Sequence, residues 1–391
     1  MVRILVFTLS VCTISALFHA VVYRWAIAAY PRLVPYKRYV LGVIGLLVVS
    51  GPAMRFIAHG HRSTWTSALF AATMIELLIV MVSTPMIFLV RVAGSVGARV
   101  ARRRGEPEAK ALSRRQVIEA VGGTAALATT TMAFGWGAVR GRHAFELEEV
   151  AVRLPNLPKA LDGYTIVQIS DVHVGSFVQE RELDDGYELI ARVKPDLIVV
   201  TGDMIDFDPA VLPTWTRAIQ RMSARDGVVT ILGNHDYYTG ADRVRSAIEG
   251  VGARVLVNHG MLSRAGDGGG FALLGVDDAS GAQNGGPGPN LESALRDVPP
   301  DRARILLSHQ PRTLDLWAGK VDLQLSGHTH GGQVNSPGGL IRPADALFRY
   351  VSGRYERSGT TLWVNRGFGV AGPPVRIGAP PEVTKIVLVS G

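Results

Sequence analysis

The stretch VVTILGNHD, residues 228–236, joins an apolar run typical of a buried strand to a glycine and three polar side chains. The glycine allows the backbone to turn sharply after the strand, so that the next side chains project from the strand's end. Asn234, His235 and Asp236 carry oxygen and nitrogen atoms that can bind a metal ion or transfer a proton. The stretch therefore predicts a functional site at the end of a strand.

Four further segments repeat this arrangement in a fixed order along the chain. In each, a short apolar run is followed by aspartate or histidine: Asp171 and His173, Gly202-Asp203, His309, and Gly327-His328-Thr329-His330. Any one of these pairs arises easily by chance, but five such segments in succession, all at strand ends, do not. Because open α/β sheets place their sites at the carboxyl ends of strands, the five segments are expected to converge.

The pattern of apolar runs predicts the fold of the second part of the chain. Strands alternate with helical patterns at first and then follow one another more closely, which favours an α/β domain with a two-layered β-sheet core flanked by helices. We expect this domain to occupy residues 164–391, after a linker or edge segment at 141–163. The predicted strands are 164–170, 196–201, 228–232, 271–276, 304–308, 322–326, 361–365 and 383–389, with helices at 179–193 and 211–223.

The first 140 residues predict an all-α transmembrane region with three to four helices. Ile4–Ile27, Tyr39–Ile57 and Trp65–Val90 are each long and apolar enough to cross a hydrocarbon core, and Val117–Val139 is a weaker candidate. A signal peptide has one apolar segment, so these spans indicate a retained membrane anchor.

Charge is distributed unevenly and bears on orientation and substrate. Residues 1–142 carry 17 Lys and Arg against 4 Asp and Glu, whereas residues 143–391 carry 24 against 29, a net charge of −5. The acidic globular part does not favour a nucleic-acid groove. The basic segment 91–115 is expected to be cytoplasmic, so a fourth span would put the globular domain on the extracytoplasmic side of the cell (inner or plasma) membrane.

Two features of the membrane part leave alternatives open. Ser113-Arg114-Arg115, followed by the fourth apolar stretch, is typical either of an internal twin-arginine export signal or of an ordinary basic membrane flank. Glu76, in the middle of the third span, has no evident ionisable partner at the centre of the other spans. It is interpreted as a protonated packing residue, with a proton or substrate role as the alternative.

Taken together, the motif set resembles the calcineurin-like metallophosphoesterase superfamily. The stretch 327–333 and Gly367-Phe368-Gly369 are similar to its bacterial membrane-associated phosphodiesterase branch, and the resemblance covers about residue 154 to the C-terminus. It implies two divalent metal ions, the first held by Asp171, His173 and His330, the second by Asn234, His309 and His328, with Asp203 bridging them. It also implies that His235 contacts the substrate phosphate or protonates the leaving oxygen, and that Asp236 orients the His235 ring.

Some properties of the site stay open at this point. Ligands of these types suit Mn, Fe, Zn and Ni alike, so the metal is not identified. A serine hydrolase is not favoured, because no nucleophile-elbow pattern surrounds Ser170 or Ser308. The neighbouring acidic residues are interpreted as loop or supporting residues; they are Asp206, Asp208, Asp277 and Asp278.

The sequence thus predicts a membrane-anchored, metal-dependent phosphoesterase that hydrolyses a phosphodiester, pyrophosphate or phosphomonoester. Its position suggests a substrate at the bilayer surface, such as a phospholipid or a nucleotide-linked glycolipid, and no protein partner is inferred. Two alternatives are a catalytically silent membrane sensor or scaffold on the same fold, and a nuclease. The first should have lost Asp203, Asn234 or His235, and the second should carry a basic groove; the sequence shows neither feature.

Overall fold

The computed structural model describes residues 2–60, 64–175, 177–264 and 269–391. The chain divides into two compact units, Met1–Ala138 and Val139–Gly391, and each is described by itself.

The first unit consists of helices. They are α1 (Val2–Ala29), α2 (Lys37–Gly60), α3 (Thr64–Arg103) and α4 (Glu108–Val139), the last of which runs to the boundary of the second unit. Four helices are long and apolar enough to cross a membrane, over Thr8–Ala29, Pro31–Met54, Trp65–Arg103 and Ser113–His143. The all-α character predicted for this region is confirmed, and the weaker fourth segment is among the four.

Glu76 has a partner that the sequence did not reveal. His19 Nε2 in α1 lies 2.8 Å from Glu76 Oε1 in α3. The other ring nitrogen of His19, Nδ1, lies 2.8 Å from the backbone oxygen of Ser15, one helical turn earlier. The expectation that Glu76 lacks a partner is therefore wrong, because the pairing depends on how two helices are rotated, which hydropathy does not encode.

The small residues of α4 explain both its weak apolar signal and its packing. A Cβ atom at Gly123 would lie 2.3 Å from Trp25 Nε1 in α1, and one at Gly122 would lie 2.7 Å from Val90 Cγ1 in α3. Trp25 Nε1 donates a hydrogen bond of 2.9 Å to the backbone oxygen of Glu119. Glycines at these positions let the helix backbones approach closely, as is common between membrane helices.

The second unit is built on two six-stranded mixed sheets. The strands are β1 (Glu146–Leu154), β2 (Thr165–Ile169), β3 (Leu197–Thr201), β4 (Val228–Ile231), β5 (Arg254–Val255), β6 (His259–Ser263), β7 (Phe271–Gly275), β8 (Arg304–Leu307), β9 (Leu323–Ser326), β10 (Gly353–Arg357), β11 (Thr360–Val364) and β12 (Glu382–Ser390). The first sheet has the order β1-β12-β2-β3-β4-β5 and the second β10-β11-β9-β8-β7-β6. This is the two-layered core flanked by helices that the sequence predicted. The segment 141–163 contributes the edge strand β1, which pairs in parallel with β12.

Apolar side chains from both sheets form the core between them. Ile166 and Val199 of the first sheet belong to one buried cluster with Ile305 and Leu325 of the second. Outer faces are covered by helices α5 (Glu180–Val193), α6 (Leu212–Arg221), α7 (Asn234–Thr239), α8 (Ala241–Glu249), α9 (Leu291–Leu295) and α10 (Leu314–Trp317). Strands β2, β3 and β4 are buried throughout or nearly so, as expected for parallel strands covered on both faces.

Candidate metal centre

The seven predicted metal ligands lie together where the two sheets meet. In the first sheet, Asp171, Asp203 and Asn234 follow the parallel strands β2, β3 and β4. In the second, His309 and His328 follow the parallel neighbours β8 and β9. The carboxyl ends of five strands therefore form one shared edge, and the remaining two ligands stand two residues beyond a strand-end ligand.

One group of possible ligands contains Asp171, His173 and His330, whose donor atoms all lie within 4.8 Å of one another. His173 Nε2 is 3.0 Å from His330 Nε2, which is 3.5 Å from Asp171 Oδ1. All three residues are buried. The geometry brings together the residues expected to hold the first ion.

A second group contains Asp203, His309 and His328, again with donor atoms within 4.8 Å of one another. His309 Nε2 lies 3.3 Å from Asp203 Oδ2 and 3.2 Å from Asn234 Oδ1. Asp203 Oδ2 is also 3.6 Å from His173 Nε2, in the first group. Asp203 thus stands between the two groups, where the resemblance puts the bridging carboxylate.

The backbone is left-handed at five of the seven candidate ligands. The φ angles are 52° at Asp171, 51° at His173, 51° at Asp203, 74° at His328 and 51° at His330. Non-glycine residues seldom adopt such angles, which cost on the order of 1–3 kcal/mol each and cluster at functional sites. The fold therefore imposes these conformations on the ligand-bearing turns.

Two glycines in the motifs are required by close approach. A Cβ atom at Gly327 would lie 1.9 Å from Ser170 Oγ and 2.1 Å from Asp171 Oδ2. Gly202 has φ of +88°, and a Cβ there would lie 2.8 Å from His309 Nδ1. The glycines preceding Asp203 and His328 thus make room for the ligands themselves.

Hydrogen bonds orient several candidate ligands. His309 Nδ1 donates to the backbone oxygen of Thr201 over 2.8 Å, which directs Nε2 towards Asp203. The backbone N–H of His328 donates to both oxygens of Asp171, at 3.0 and 2.9 Å. Such contacts fix the tautomer and direction of metal-binding side chains.

The donor set fits a divalent cation. Burial lowers the pKa of His173, His328 and His330, which favours the neutral imidazole that binds metals. Two neutral ring nitrogens that face each other at 3.0 Å, those of His173 and His330, repel unless a cation or proton lies between them. The clustered aspartates and histidines are therefore consistent with a divalent metal centre.

His235 borders the two groups, and it also forms a third group of possible ligands with His173 and Asp203, whose donor atoms lie within 4.8 Å of one another. Its Nδ1 atom lies 3.0 Å from the backbone oxygen of Asp206 and 3.3 Å from Asp206 Oδ1. Burial alone would lower the pKa of His235, but the hydrogen bond to Asp206 and the charge of Asp203 raise it to about 9. Exposed Phe207 and Tyr238 pack beside the ring, with centroids at 4.7 and 5.4 Å.

The role expected for Asp236 is corrected. Its Oδ1 accepts from the backbone N–H groups of Met204 and Ile205, at 3.0 and 3.3 Å, and its Oδ2 accepts from Gly233 at 2.9 Å. Both oxygens therefore tie the Asp203 turn to the Gly233 turn, and the carboxylate beside the His235 ring is that of Asp206. Adjacency in sequence was a poor guide, because the helical backbone of α7 points successive side chains in different directions.

The other polar neighbours have local partners. Asp208 Oδ1 caps Ala210 N at 2.9 Å, Tyr237 Oη donates to Asp277 Oδ1 at 2.6 Å, and Gln310 Nε2 donates to Asp278. Ser170 Oγ donates to the backbone oxygen of Thr201 at 3.2 Å, and Ser308 Oγ lies 2.8 Å from Thr313 Oγ1. These contacts agree with supporting roles.

Sequence reasoning missed one residue at the back of the first group. Arg376 is 1% exposed. Its guanidinium donates to the backbone oxygens of Gly367 at 3.0 Å and Gly369 at 2.8 Å, and its Nη2 lies 3.3 Å from His330 Nδ1. Burial lowers the pKa of Arg376 to about 9. The glycine-rich stretch 367–369 could have indicated a tightly folded turn, but no local signal identifies its distant arginine.

Residues 164–332 match the calcineurin-like phosphoesterase family. The chain belongs to this family, as the motifs predicted, and is a metal-dependent phosphoester hydrolase.

The curated relatives include bacterial and animal proteins. The chain is 33% identical over 297 residues to the uncharacterized metallophosphoesterase YkuE of Bacillus subtilis, covering 72% of this chain and 99% of that protein. It is 34% identical to the uncharacterized metallophosphoesterase Cj0846 of Campylobacter jejuni, covering 61% of this chain and 62% of that one. It is 32% identical to the transmembrane protein with metallophosphoesterase domain of Bos taurus, covering 61% and 56%. The resemblance to the bacterial branch of the superfamily is thereby confirmed, since YkuE belongs to that branch.

Proposed function

We propose that this protein is a membrane-anchored phosphoesterase with a binuclear metal centre. Residues 164–391 form the phosphoesterase domain, and residues 1–140, which precede it in the sequence, form the membrane region. The observation that carries the proposal is that the buried carboxylate of Asp203 belongs to the group with His309 and His328, while its Oδ2 also lies 3.6 Å from His173 Nε2 of the first group. Asp171, His173 and His330 would hold one ion and Asn234, His309 and His328 the other. When bound, the two ions would offset charge on the phosphoryl oxygens and lower the pKa of a water molecule.

The protein's own residues supply positioning and a proton. His235 presents its ring at the rim of the ligand groups, while Asp206 engages Nδ1 and leaves Nε2 directed away from that contact. We assign His235 to contact the substrate phosphate and to donate a proton from Nε2 to the leaving oxygen. Asp236 keeps the turns bearing Asp203 and Asn234 in register, because its carboxylate binds backbone N–H groups of both.

The proposed substrate is a phosphodiester, pyrophosphate or phosphomonoester carried by a membrane lipid, such as a phospholipid or nucleotide-linked glycolipid. The four apolar helices and the transmembrane relative support a membrane location. The basic segment 91–115 supports a cytoplasmic connection between α3 and α4, and hence an extracytoplasmic catalytic domain.

Asp203→Asn provides the test of the binuclear centre. Full-length protein in detergent would be stripped with chelator, reloaded with Mn²⁺, Fe²⁺, Zn²⁺ or Ni²⁺, and assayed with bis(p-nitrophenyl) phosphate while bound metal is counted by mass spectrometry. We expect two ions per chain in the wild type. In the variant we expect loss of metal and of nearly all turnover, because the shared charge is removed.

Asp301→Asn is the matched control, since it neutralises an exposed aspartate elsewhere in the domain. It should retain both ions and full turnover. A wild-type stoichiometry of one ion, or unchanged activity in Asp203→Asn, would refute the shared-ligand assignment.

A further inference from the structure

The segment 336–349 carries the two most exposed large apolar side chains among the described residues of the second unit, and a third that is also largely exposed. Leu340 is 90% exposed, Leu347 81% and Ile341 69%. Among the described residues of this unit, the other exposed large apolar side chains are Val139, at the end of α4, and Phe207, Tyr238 and Leu316. Scattered single residues of this kind are ordinary, but three within eight positions indicate a binding surface. We call this segment the apolar segment.

The apolar segment is held by specific contacts. Ser336 closes a loop on Ile341, since the two residues exchange backbone and side-chain hydrogen bonds of 2.9 and 2.8 Å. Ala344, between the exposed residues, is 8% exposed. A Cβ atom placed on Gly332 would lie 3.0 Å from the Cβ atom of Ala344. Because Gly332 is two residues beyond His330, the segment packs directly on the turn that carries candidate metal ligands.

Arginines lie near Leu347, at one end of the apolar segment. Arg349 and Arg357 both form ion pairs with the carboxylate of Asp315, so that the three side chains together have a net charge of +1. Exposed Arg312 adds another, and it lines the same groove as Arg349. This local excess of positive charge lies on a domain whose net charge is −5. Exposed leucines flanked by arginines match the boundary between acyl chains and anionic headgroups.

A groove leads from the apolar segment to the candidate metal centre. It has a volume of about 310 Å³, and its lining includes Leu347, Phe348, Arg312 and His328. The Phe348 ring lies edge-on to the His328 ring, with centroids 5.8 Å apart. One wall of the groove is thus apolar and continuous with the segment, while its inner end reaches a candidate metal ligand.

We propose that the apolar segment docks into the surface of a lipid bilayer with anionic headgroups, Leu340, Ile341 and Leu347 entering the acyl boundary. A lipid phosphoester then reaches the metal centre through the groove, so this second step rests on the function proposed above. The bilayer is the one that the chain's own apolar helices would enter, since only residues 140–145 separate α4 from β1.

Docking is tested by a fluorescent probe at Leu340. Full-length protein with Cys12→Ser and Leu340→Cys would be labelled with an environment-sensitive dye and placed in nanodiscs containing phosphatidylglycerol. We expect blue-shifted emission that is quenched by brominated lipids, whereas a probe at Asp301→Cys, exposed elsewhere, should respond to neither. Identical behaviour of the two probes would overturn the proposal. A blue shift seen only with two chains per nanodisc would also overturn it, because a second copy would then be the occupant.

Delivery of lipid is tested by turnover. Leu340→Asp and Ile341→Asp should lower hydrolysis of lipid phosphoesters in the nanodisc by about tenfold or more, because a charge replaces an inserted side chain. Both variants should leave hydrolysis of soluble bis(p-nitrophenyl) phosphate unchanged, and the matched variant Leu340→Phe should retain both activities. Equal losses on both substrates would overturn docking in favour of a structural role. A wild type that hydrolyses neither substrate would refute the proposed function, while the probe at residue 340 would still decide docking.

Discussion

His235, the candidate catalytic residue, is packed among neighbouring side chains. The rings of His173, Phe207 and Tyr238 lie 4.5, 4.7 and 5.4 Å from its ring centroid, and Asp206 engages Nδ1. Its side chain is 16% exposed, whereas that of His173 is 1% exposed. The ring therefore borders solvent and can meet a substrate that the buried ligands cannot contact directly.

His235→Ala should retain metal and lose turnover. We expect kcat to fall by about 10² to 10⁴, the usual contribution of a positioned acid or base, because the variant lacks the ring assigned to protonate the leaving oxygen. Metal content and kcat would be measured on the same samples of full-length protein. A variant that binds no ions would show instead that His235 is a ligand.

The residue types at the centre could be predicted from sequence, whereas their partners could not. Five of the seven predicted ligands lie just beyond an apolar run and the other two stand two residues further along, so local pattern placed all seven near strand ends. The contact of Asp206 with His235, and that of Arg376 with His330, depend on turns folding back across the site. Asp236 illustrates the limit, since the adjacent carboxylate was assigned to a ring that it does not orient.

At the scale of elements, the pair of His19 and Glu76 links α1 to α3 through polar atoms 2.8 Å apart. Hydrogen bonds between membrane helices contribute up to about 1–2 kcal/mol. Because an ionisable group in an apolar bundle is costly without a partner, the two residues should depend on each other.

Replacing either partner should loosen the helical unit. His19→Leu and Glu76→Leu should each lower the thermal unfolding temperature in detergent, and the double variant should lose less than the sum of the two. Ser83→Ala is the control, because Ser83 is buried in α3 but donates to Ile79 of its own helix. Additive losses would mean that the pair makes no coupled contribution.

Elements with a strong apolar pattern were predicted closely, and those defined by pairing were missed. The run predicted at 228–232 is strand β4, Val228–Ile231, and that at 271–276 is β7, Phe271–Gly275. Strand β10, Gly353–Arg357, was not foreseen because it is largely exposed and exists through its antiparallel pairing with β11. The third predicted span ended at Val90, whereas α3 continues to Arg103, because helix formation does not stop where the apolar stretch ends.

At the scale of the whole molecule, the distribution of charge predicts its orientation in the membrane. Both arginines of the twin-arginine-like motif are engaged in ion pairs, Arg114 with Glu106 and Arg115 with Glu119, at 2.7 Å each. These pairs are compatible with an ordinary helix flank, and the proposed outward orientation of the domain does not require an export signal.

Labelling of introduced cysteines tests the orientation. In a Cys12→Ser background, which removes the chain's single cysteine, Asp301→Cys would probe the domain and Glu108→Cys the basic connection. With a membrane-impermeant maleimide applied to bacterial spheroplasts, we expect Asp301→Cys to react and Glu108→Cys to react only after permeabilisation. The reverse pattern would place the catalytic domain in the cytoplasm.

The left-handed φ angles at the candidate metal centre carry a conformational cost in folding, yet the residues that adopt them supply the candidate metal ligands. Glycine would adopt the φ angles of Asp171, His173 and His330 at lower conformational cost, yet it would delete a ligand each time. If variants of the metal-free chain were selected for thermostability alone, these three ligands should therefore tend to be replaced by glycine, and activity would be lost. An engineered stabilised form would have to be selected in the presence of its ions, because only ion binding to the folded state rewards the strained residues.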